Sequence, residues 1–323
     1  MSSGFDRSLA SSFLKSPAGW YPHKMWPQQA AWPRADSHIH LVRDDYAWAT
    51  ARAKAGTSYD EPVLYNGYCE MYGVEEVLVV SVRPENDQYV ADAAKQYKWC
   101  RGMAAFEPAT LTVSALENLS GVFLPDSPGK IAGIALRSAG GAKALSSVDS
   151  GVWEWIDRRR WLISQNNSGD GWLSWLPILE KHPNLRLMIA HLGLPEQSPP
   201  SEREHPASPE VYARRLDAVV ALSRFPGPRV KLSGFYAVAA PSHDFPHRGA
   251  WGLVETLVRA FGVERCCWGS DFSPCLSHLS YPQTFDLFAR MPFLSDADRE
   301  LIEGGNLLQL LREVVVVTDS AKL

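Results

Sequence analysis

The sequence predicts an α/β protein of the (β/α)8 TIM-barrel class. Eight short apolar runs alternate with segments of helical periodicity over about 290 residues, which fits a fold of about 250 residues plus insertions. Most of the runs are continuously apolar, as is typical of parallel strands covered by helices on both faces. A doubly wound open sheet is the alternative. No Gly-x-Gly-x-x-Gly follows the first run, which argues against the dinucleotide-binding form of that sheet.

The eight candidate strands are short apolar segments separated by helical patterns, at 35–42, 77–82, 102–107, 131–137, 161–165, 185–192, 229–235 and 266–272. A helix is predicted within 87–99, where aromatic and small residues repeat at four-residue spacing. Ser208, followed by proline and glutamate, has the pattern of an N-cap, a first-turn proline and a first-turn acid. Ser295 is predicted to open another helix before a leucine-rich segment.

Composition predicts a globular chain of one or two domains without a nucleic-acid or membrane partner. Residues 1–33 are rich in Ser, Pro, Trp and Gln and predict an irregular N-terminal arm, whereas residues 34–323 predict a single TIM-barrel domain. The net charge is −4, from 32 basic and 36 acidic residues, with no basic block that would mark a nucleic-acid surface. No apolar stretch reaches the length of about 18 residues expected of a membrane span, and no secretory signal is recognised.

Cysteine usage predicts the compartment. The five cysteines show no CxxC spacing, so free thiols and a cytoplasmic location are expected. A small-molecule substrate is the expected partner, and the aromatic-rich surface and arm would suit a homodimer.

The first candidate strand contains Asp36-Ser37-His38-Ile39-His40, which places ionisable groups in an apolar run. Residues two apart on a strand point the same way, so Asp36, His38 and His40 are expected to share one face. Three polar groups buried on one face are costly unless they form a site. Two imidazoles on one face suit Zn²⁺ or a similar ion.

Polar side chains recur at the carboxyl ends of the candidate strands, where TIM barrels carry their catalytic groups. In chain order they are His38, His40, Arg83, Glu107, Arg137, Gln165, Asn166, His191, Ser233 and Asp271. Taken alone, His191 could be a core histidine and Asp271 a capping residue. Together they predict one site, in which Asp271 would ligate a metal or act as a general base.

Two arginines at the predicted rim indicate an acidic substrate. Arg137 and Arg83 would bind a carboxylate, because a guanidinium pairs with it through two parallel hydrogen bonds. A rim ion pair with Glu107 is equally compatible with Arg137. Specificity is expected in the loops at 43–64, 193–210 and 235–248, the last of which contains Tyr236 as a candidate substrate contact.

Four motifs resemble, in this order, the strand signatures of the amidohydrolase superfamily: Asp36-Ser-His38-Ile-His40, Ala190-His191-Leu-Gly-Leu-Pro195, Val230-Lys-Leu-Ser-Gly234 and Trp268-Gly-Ser-Asp271. The branch that they resemble is the amidohydrolase-2 group, which includes sugar-lactone lactonases and 2-pyrone-4,6-dicarboxylate lactonase. The resemblance covers about residues 34–312. It implies a distorted TIM barrel and hydrolysis of a lactone, ester or amide bond.

The resemblance also implies roles for the site residues. His38 and His40 match the metal pair of the first strand, and Asp271 matches the aspartate that ligates metal and handles the proton of the attacking water. His191 matches the histidine that polarises the substrate carbonyl or helps to hold the ion. One divalent ion, Zn or Mn, is therefore expected. However, Gln165 stands near the position where many members have a further ligand, and some lactonases of this branch work without a metal. A metal-independent mechanism therefore stays open.

Together these expectations describe a hydrolase of a lactone or other carboxylic ester. Asp271 would activate water, and Arg137 and Arg83 would orient an acidic group of the substrate. Gln165, Ser233 and Tyr236 are further candidate substrate contacts. One alternative is a non-oxidative decarboxylase of an aromatic acid, which normally needs a further histidine on the fifth strand. The other is a non-catalytic barrel, against which the intact set of polar strand-end residues argues.

Overall fold

Eight parallel strands form a nearly closed barrel in the order β1 to β8. The structure, a computed structural model, describes residues 32–43, 54–56, 58–119, 130–137 and 141–315. The strands are β1 (Arg34–Ile39), β2 (Val74–Val80), β3 (Cys100–Phe106), β4 (Ile131–Leu136), β5 (Leu162–Gln165), β6 (Arg186–Ile189), β7 (Arg229–Leu232) and β8 (Cys266–Trp268). Each overlaps one predicted run, so the predicted TIM barrel is confirmed. The predicted arm at 1–33 lies outside the described residues except for its last two.

Helices surround the barrel and connect successive strands. They are α1 (Glu61–Tyr72), α2 (Asp87–Gln96), α3 (Val113–Asn118), α4 (Gly141–Ser146), α5 (Ser150–Arg158), α6 (Leu176–Lys181), α7 (Pro209–Arg215), α8 (Asp217–Val220), α9 (Phe235–Val238), α10 (Trp251–Phe261), α11 (Gln283–Asp286), α12 (Asp296–Glu300) and α13 (Asn306–Arg312). A π-helical segment, Leu301–Gly305, joins α12 to α13. None of the helices in the described part of the chain is long and apolar enough to cross a membrane.

The predicted helix starts are confirmed, but one helix is interrupted. α2 lies within 87–99, and Ser295 forms a capping box with Asp298 at the start of α12. The helix that begins after Ser208 does not run on as one element. Leu216, with φ −112° and ψ 4°, separates α7 from α8 and is buried.

The barrel closes through the segment that follows β8. The amide of Asp271 donates to the carbonyl of His38 at 2.8 Å, and the amide of His40 donates to the carbonyl of Phe272 at 2.5 Å. Ile39 and Phe272 form a parallel bridge. This closure places the chain after β8 against the carboxyl end of β1.

Two apolar clusters stabilise the barrel. A smaller cluster includes Ala35, Met103 and Met188 on the strands, and a larger one lies between the strands and the helices. Four tryptophans on α5 and between β5 and α6 are buried in the larger cluster: Trp153, Trp155, Trp172 and Trp175. All five cysteines are buried and free.

A buried ion pair ties the C-terminal segment to the first strand. Arg34 Nε lies 3.0 Å from Glu303 Oε2, and Arg34 Nη1 donates to the carbonyl of Tyr72. Arg299 also reaches Glu303, at 3.3 Å. The pair joins β1 to the π-helical segment next to α13.

Candidate active site

Four ionisable side chains meet at the carboxyl end of the barrel. His38 lies in β1 and His40 directly follows it, His191 lies in a 3₁₀ turn after β6, and Asp271 follows β8 by three residues. The Nε2 atoms of His38 and His40 are 3.2 Å apart. Asp271 Oδ1 is 3.8 Å from His38 Nε2 and 3.6 Å from His40 Nε2, and its Oδ2 is 3.8 Å from His191 Nδ1. The convergence expected from the strand ends is therefore present in the structure.

Asp36 does not join this cluster, so the expectation that it shares a face with His38 and His40 is wrong. Its Oδ2 accepts from the hydroxyl of Tyr65 on α1 at 2.7 Å, and its Oδ1 accepts from the amide of Ser270 at 2.9 Å. The pairing of β1 with β2 shifts register between Asp36 and Ile39, which breaks the strict alternation of side chains. Asp36 instead supports the turn that leads to Asp271. Burial raises its pKa to about 6.

His191 is positioned by the residues that follow β7. Ser233 Oγ lies 3.1 Å from His191 Nδ1 and accepts from the His191 amide at 3.3 Å. Gly234 has φ +64°, and a Cβ there would lie 2.6 Å from His191 Nδ1. The ring therefore occupies the space that a side chain at position 234 would need. Ser233, a predicted substrate contact, lies against this histidine.

Lys231 is the charged residue that sequence reasoning missed. It lies on β7 with its side chain fully buried, and its Nζ is 3.1 Å from His38 Nδ1 and 2.7 Å from Ser164 Oγ on β5. A signal was present in the sequence: lysine is almost never fully buried, yet Lys231 stands in an apolar run two residues before Ser233. Burial lowers its pKa to about 7.

Burial shifts the pKa values of all four ionisable residues of the site. Burial raises the pKa of Asp271 to about 6, although His40 and the hydroxyl of Tyr236 oppose this shift. Tyr236 donates to Asp271 Oδ2 at 2.5 Å. Burial lowers the pKa of His191 to about 3, and burial also lowers the pKa values of His38 and His40. These shifts favour neutral imidazoles and an ionised Asp271 carboxyl at neutral pH.

The predicted substrate-binding arginines lie at the rim. Arg137 Nε pairs with Glu107 Oε1 at 2.7 Å, and its Nη1 donates to the carbonyl of Val82. The side chain of Arg137 is 47% exposed, so it is open to solvent despite this pair. Arg83 Nε lies 4.0 Å from Glu85 Oε2. Gln165 is buried, and its Oε1 accepts from the indole of Trp175 at 2.5 Å.

The type and spacing of the donor atoms fit a divalent ion. The ligand atoms of His38, His191 and Asp271 all lie within 4.8 Å of one another. His40 Nε2 lies close to two of these residues. Imidazole nitrogens and carboxylate oxygens are ligands that Zn²⁺ and Mn²⁺ accept in proteins.

Comparison with known proteins identifies one family and a set of similar barrels. A family model described as "Amidohydrolase" matches residues 35–312. An amidohydrolase from Burkholderia multivorans solved with bound HEPES has a TM-score of 0.71 at 19% identity, over 87% of this chain and 99% of that chain. The same protein solved with bound zinc gives a TM-score of 0.70 at 18% identity, over 87% and 99% of the two chains. No curated protein matches the sequence.

Two further solved structures carry an activity in their names. A Pseudomonas putida protein assigned as a 2-pyrone-4,6-dicarboxylic acid hydrolase has a TM-score of 0.62 at 18% identity, over 88% of this chain and 99% of that chain. A dihydroxybenzoic acid decarboxylase from Polaromonas, with bound manganese and 2-nitroresorcinol, has a TM-score of 0.55 at 14% identity, over 87% and 97% of the two chains. At these identities the likeness shows a common fold.

Proposed function

Because the chain belongs to the amidohydrolase family, we propose that it is a hydrolase of a lactone or other carboxylic ester of a small, acidic substrate. The observation that carries the proposal is the buried carboxylate of Asp271, which lies within 4 Å of three neutral imidazoles. A base of this kind activates water, and an imidazole beside it that has a free N–H donates a hydrogen bond to an oxyanion. Membership of the family supports enzymatic hydrolysis in general, and the lactone substrate is our proposal.

The first step is attack by water on the carbonyl carbon. Asp271 accepts a proton from water as the new carbon–oxygen bond forms. A general base should have a pKa close to the working pH, and the raised pKa of about 6 brings Asp271 nearer to it than an ordinary aspartate. Tyr236, hydrogen-bonded to Oδ2, leaves Oδ1 to face the water.

The second step is collapse of the tetrahedral intermediate. Its oxyanion is stabilised by a hydrogen bond from His191, whose ring is fixed by Ser233. The bond from the carbonyl carbon to the ring oxygen breaks, and Asp271 returns the proton to that oxygen. The products are one hydroxyl and one carboxylic acid on the opened chain, and the acid then releases its proton to solvent. Arg137 and Arg83 at the rim orient the acidic group of the substrate.

A divalent ion would bind to His38, His40 and Asp271, with His191 as a further ligand, and Zn or Mn is the expected species. When bound, it would act as a Lewis acid at the carbonyl oxygen. The proton transfers described above belong to Asp271 in either case.

A panel of lactones tests the proposal. Purified protein, with and without added Zn²⁺ or Mn²⁺, is incubated with 2-pyrone-4,6-dicarboxylate, D-glucono-1,5-lactone and a lactone without acidic or hydroxyl groups, and acid release is followed with a pH indicator. We expect ring opening of the acidic lactone in preference to the plain one. Carbon dioxide release from 2,6-dihydroxybenzoate, with no lactone opened, would instead establish the decarboxylase alternative. Gln165 on β5, in place of a further histidine, argues against that outcome.

A further inference from the structure

Glu61 is a buried acidic side chain that the proposed mechanism does not use. It is the first residue of α1 and is 1% exposed. Glutamate is almost never fully buried unless its oxygens are paired or hydrogen-bonded. Both oxygens of Glu61 accept hydrogen bonds, and the two donors belong to the two chain segments that carry His40 and Asp271.

The first contact holds the segment that follows β1. Glu61 Oε2 accepts from the amide of Val42 at 2.6 Å. Val42 is buried and lies two residues beyond His40, after the end of β1. A buried amide needs an acceptor, and here the Glu61 side chain takes the place of a carbonyl from a neighbouring strand. Glu61 therefore fixes the chain directly after the histidine.

The second contact holds the segment that follows β8. Glu61 Oε1 accepts from the hydroxyl of Ser273 at 2.5 Å. Ser273 is buried and lies two residues beyond Asp271. One carboxyl group on α1 thus binds both segments at equivalent places, each two residues past a side chain of the candidate active site.

The Glu61 contacts complement the hydrogen bonds that close the barrel. The amide of His40 donates to the carbonyl of Phe272, and the amide of Asp271 donates to the carbonyl of His38. Each site residue is therefore held at its own amide by a closure bond, and two residues later by Glu61. The side chains that are held in this way lie 3.6 Å apart, from Asp271 Oδ1 to His40 Nε2.

We propose that Glu61 is a positioning residue that sets the distance between His40 and Asp271. It acts through the backbone of the two segments, from the side of α1. This inference rests on the proposed function in taking Asp271 as the base. The placement of the two segments, however, can be measured without a substrate.

The first test is hydrogen exchange, followed by mass spectrometry, in peptides that cover residues 36–43 and 268–275. We expect Glu61→Ala to exchange about tenfold or more faster than wild type in both peptides, because each loses a buried hydrogen bond. A peptide from β5 is the reference for global unfolding and should not change. Glu61→Gln should exchange like wild type, because its amide oxygen can accept from Val42 and its NH₂ group can donate to Ser273 Oγ.

The matched control is Asp60→Ala, at the residue before Glu61. Asp60 caps the same helix, since its Oδ1 accepts from the amide of Val63 at 3.0 Å. The control weakens the start of α1 but keeps both contacts of Glu61, so exchange in the two peptides should equal that of wild type. Equal exchange in Glu61→Ala and Asp60→Ala would overturn the proposal.

The second test separates positioning from a purely structural role through kcat and KM on an acidic lactone. We expect Glu61→Ala to lose about 10²-fold in kcat, because a displacement of about 1 Å in a site can cost that much. KM should stay within about threefold, since the rim arginines that orient the substrate are untouched. Glu61→Gln and Asp60→Ala should keep the wild-type kcat. A folded Glu61→Ala protein with the wild-type kcat would overturn the proposal.

Ser273→Ala removes only the contact to the segment of Asp271. It should speed exchange in 268–275 more than in 36–43 and should lower kcat less than Glu61→Ala does. If Glu61→Ala does not fold, Ser273→Ala replaces it in both tests, and unchanged exchange in 268–275 would overturn the proposal. If wild type opens no lactone, the proposed hydrolysis fails, while the exchange test still decides whether Glu61 positions the two segments.

Discussion

Asp271 combines a left-handed backbone with a buried carboxyl group. Its φ is +59°, a region that aspartate and asparagine adopt more readily than most residues. The amide of this residue is fixed to the carbonyl of His38, and its side chain faces the imidazoles. The backbone conformation and the closure of the barrel therefore position the proposed base together.

The ionisation of Asp271 predicts the pH dependence of activity. The carboxyl must be deprotonated to accept a proton from water, and burial raises its pKa to about 6. We therefore expect kcat/KM for an acidic lactone to rise with pH, with an inflection near this value. Initial rates across the acidic and neutral range measure it. A rate that is flat through this range, or that falls as pH rises, would contradict the assignment of Asp271 as the base.

Tyr236→Phe should move the inflection of the kcat/KM profile to higher pH. The Tyr236 hydroxyl donates to Asp271 Oδ2 and so stabilises the ionised form. A hydrogen bond to a charged group contributes about 1.5–3 kcal/mol, so its loss should raise the pKa of Asp271 by about one to two units. Tyr97→Phe is the control and should leave the profile unchanged, because the Tyr97 hydroxyl accepts a hydrogen bond from the exposed Gln96 on α2. An unshifted profile in Tyr236→Phe would show that the hydroxyl does not tune the base.

At the scale of elements, the turn after β7 fixes His191. Gly234→Ala adds a Cβ that would lie 2.6 Å from His191 Nδ1, at a φ of +64°. Gly73, after α1, has a φ of +67° and no heavy atom within 4 Å of an added Cβ. Both alanine variants should lose about 1–2 kcal/mol from left-handed strain, measured by chemical denaturation.

Only Gly234→Ala should also lose activity, on the order of 10²-fold, because a displacement of about 1 Å in a site can cost that much. Equal activity in the two glycine variants would mean that the position of His191 does not matter for the reaction. Steady-state rates on the same lactone make the comparison.

Element identity was readable from the sequence, but side-chain direction was not always readable. Continuous apolar runs predict the eight strands because a buried parallel strand needs apolar groups on both faces. The direction of Asp36 depends on a register shift against β2, which is set by the partner strand and leaves no local signal. The charge of Lys231 in an apolar run was a local signal that the residue is unusual. Its contacts could not be predicted, because its partners lie on β1 and β5.

At the scale of the whole molecule, one buried ion pair links the two ends of the barrel domain. Arg34 and Glu303 are 5% and 0% exposed. Glu303→Ala should lower the free energy of unfolding by about 3–5 kcal/mol, because it leaves Arg34 buried without its partner. Glu255→Ala, which breaks an exposed pair with Arg259 on α10, should change it little. Denaturant titration compares the free energies of unfolding of the two variants. Equal losses would show that the buried pair stabilises the fold no more than an exposed pair does.

The fold class followed from length and periodicity, and the central residues followed from the rule that barrels carry chemistry at the carboxyl ends of strands. The predicted run 266–272 includes Phe272, but the regular strand β8 ends at Trp268, and no sequence pattern indicated that the irregular chain after it would close the barrel through a single bridge. The predicted loop at 43–64 lies partly outside the described residues. Substrate identity resides in such loops, whose sequence has no periodicity to read.

The measurement that tests the central claim most directly compares Asp271→Asn with wild type on an acidic lactone at neutral pH. Asparagine accepts the left-handed backbone and keeps an oxygen for Tyr236, so the variant should fold like wild type, as circular dichroism would show. It cannot accept the proton of water, and we expect kcat to fall by about 10²- to 10⁴-fold. A folded Asp271→Asn protein that opens the lactone at the wild-type rate would contradict the account.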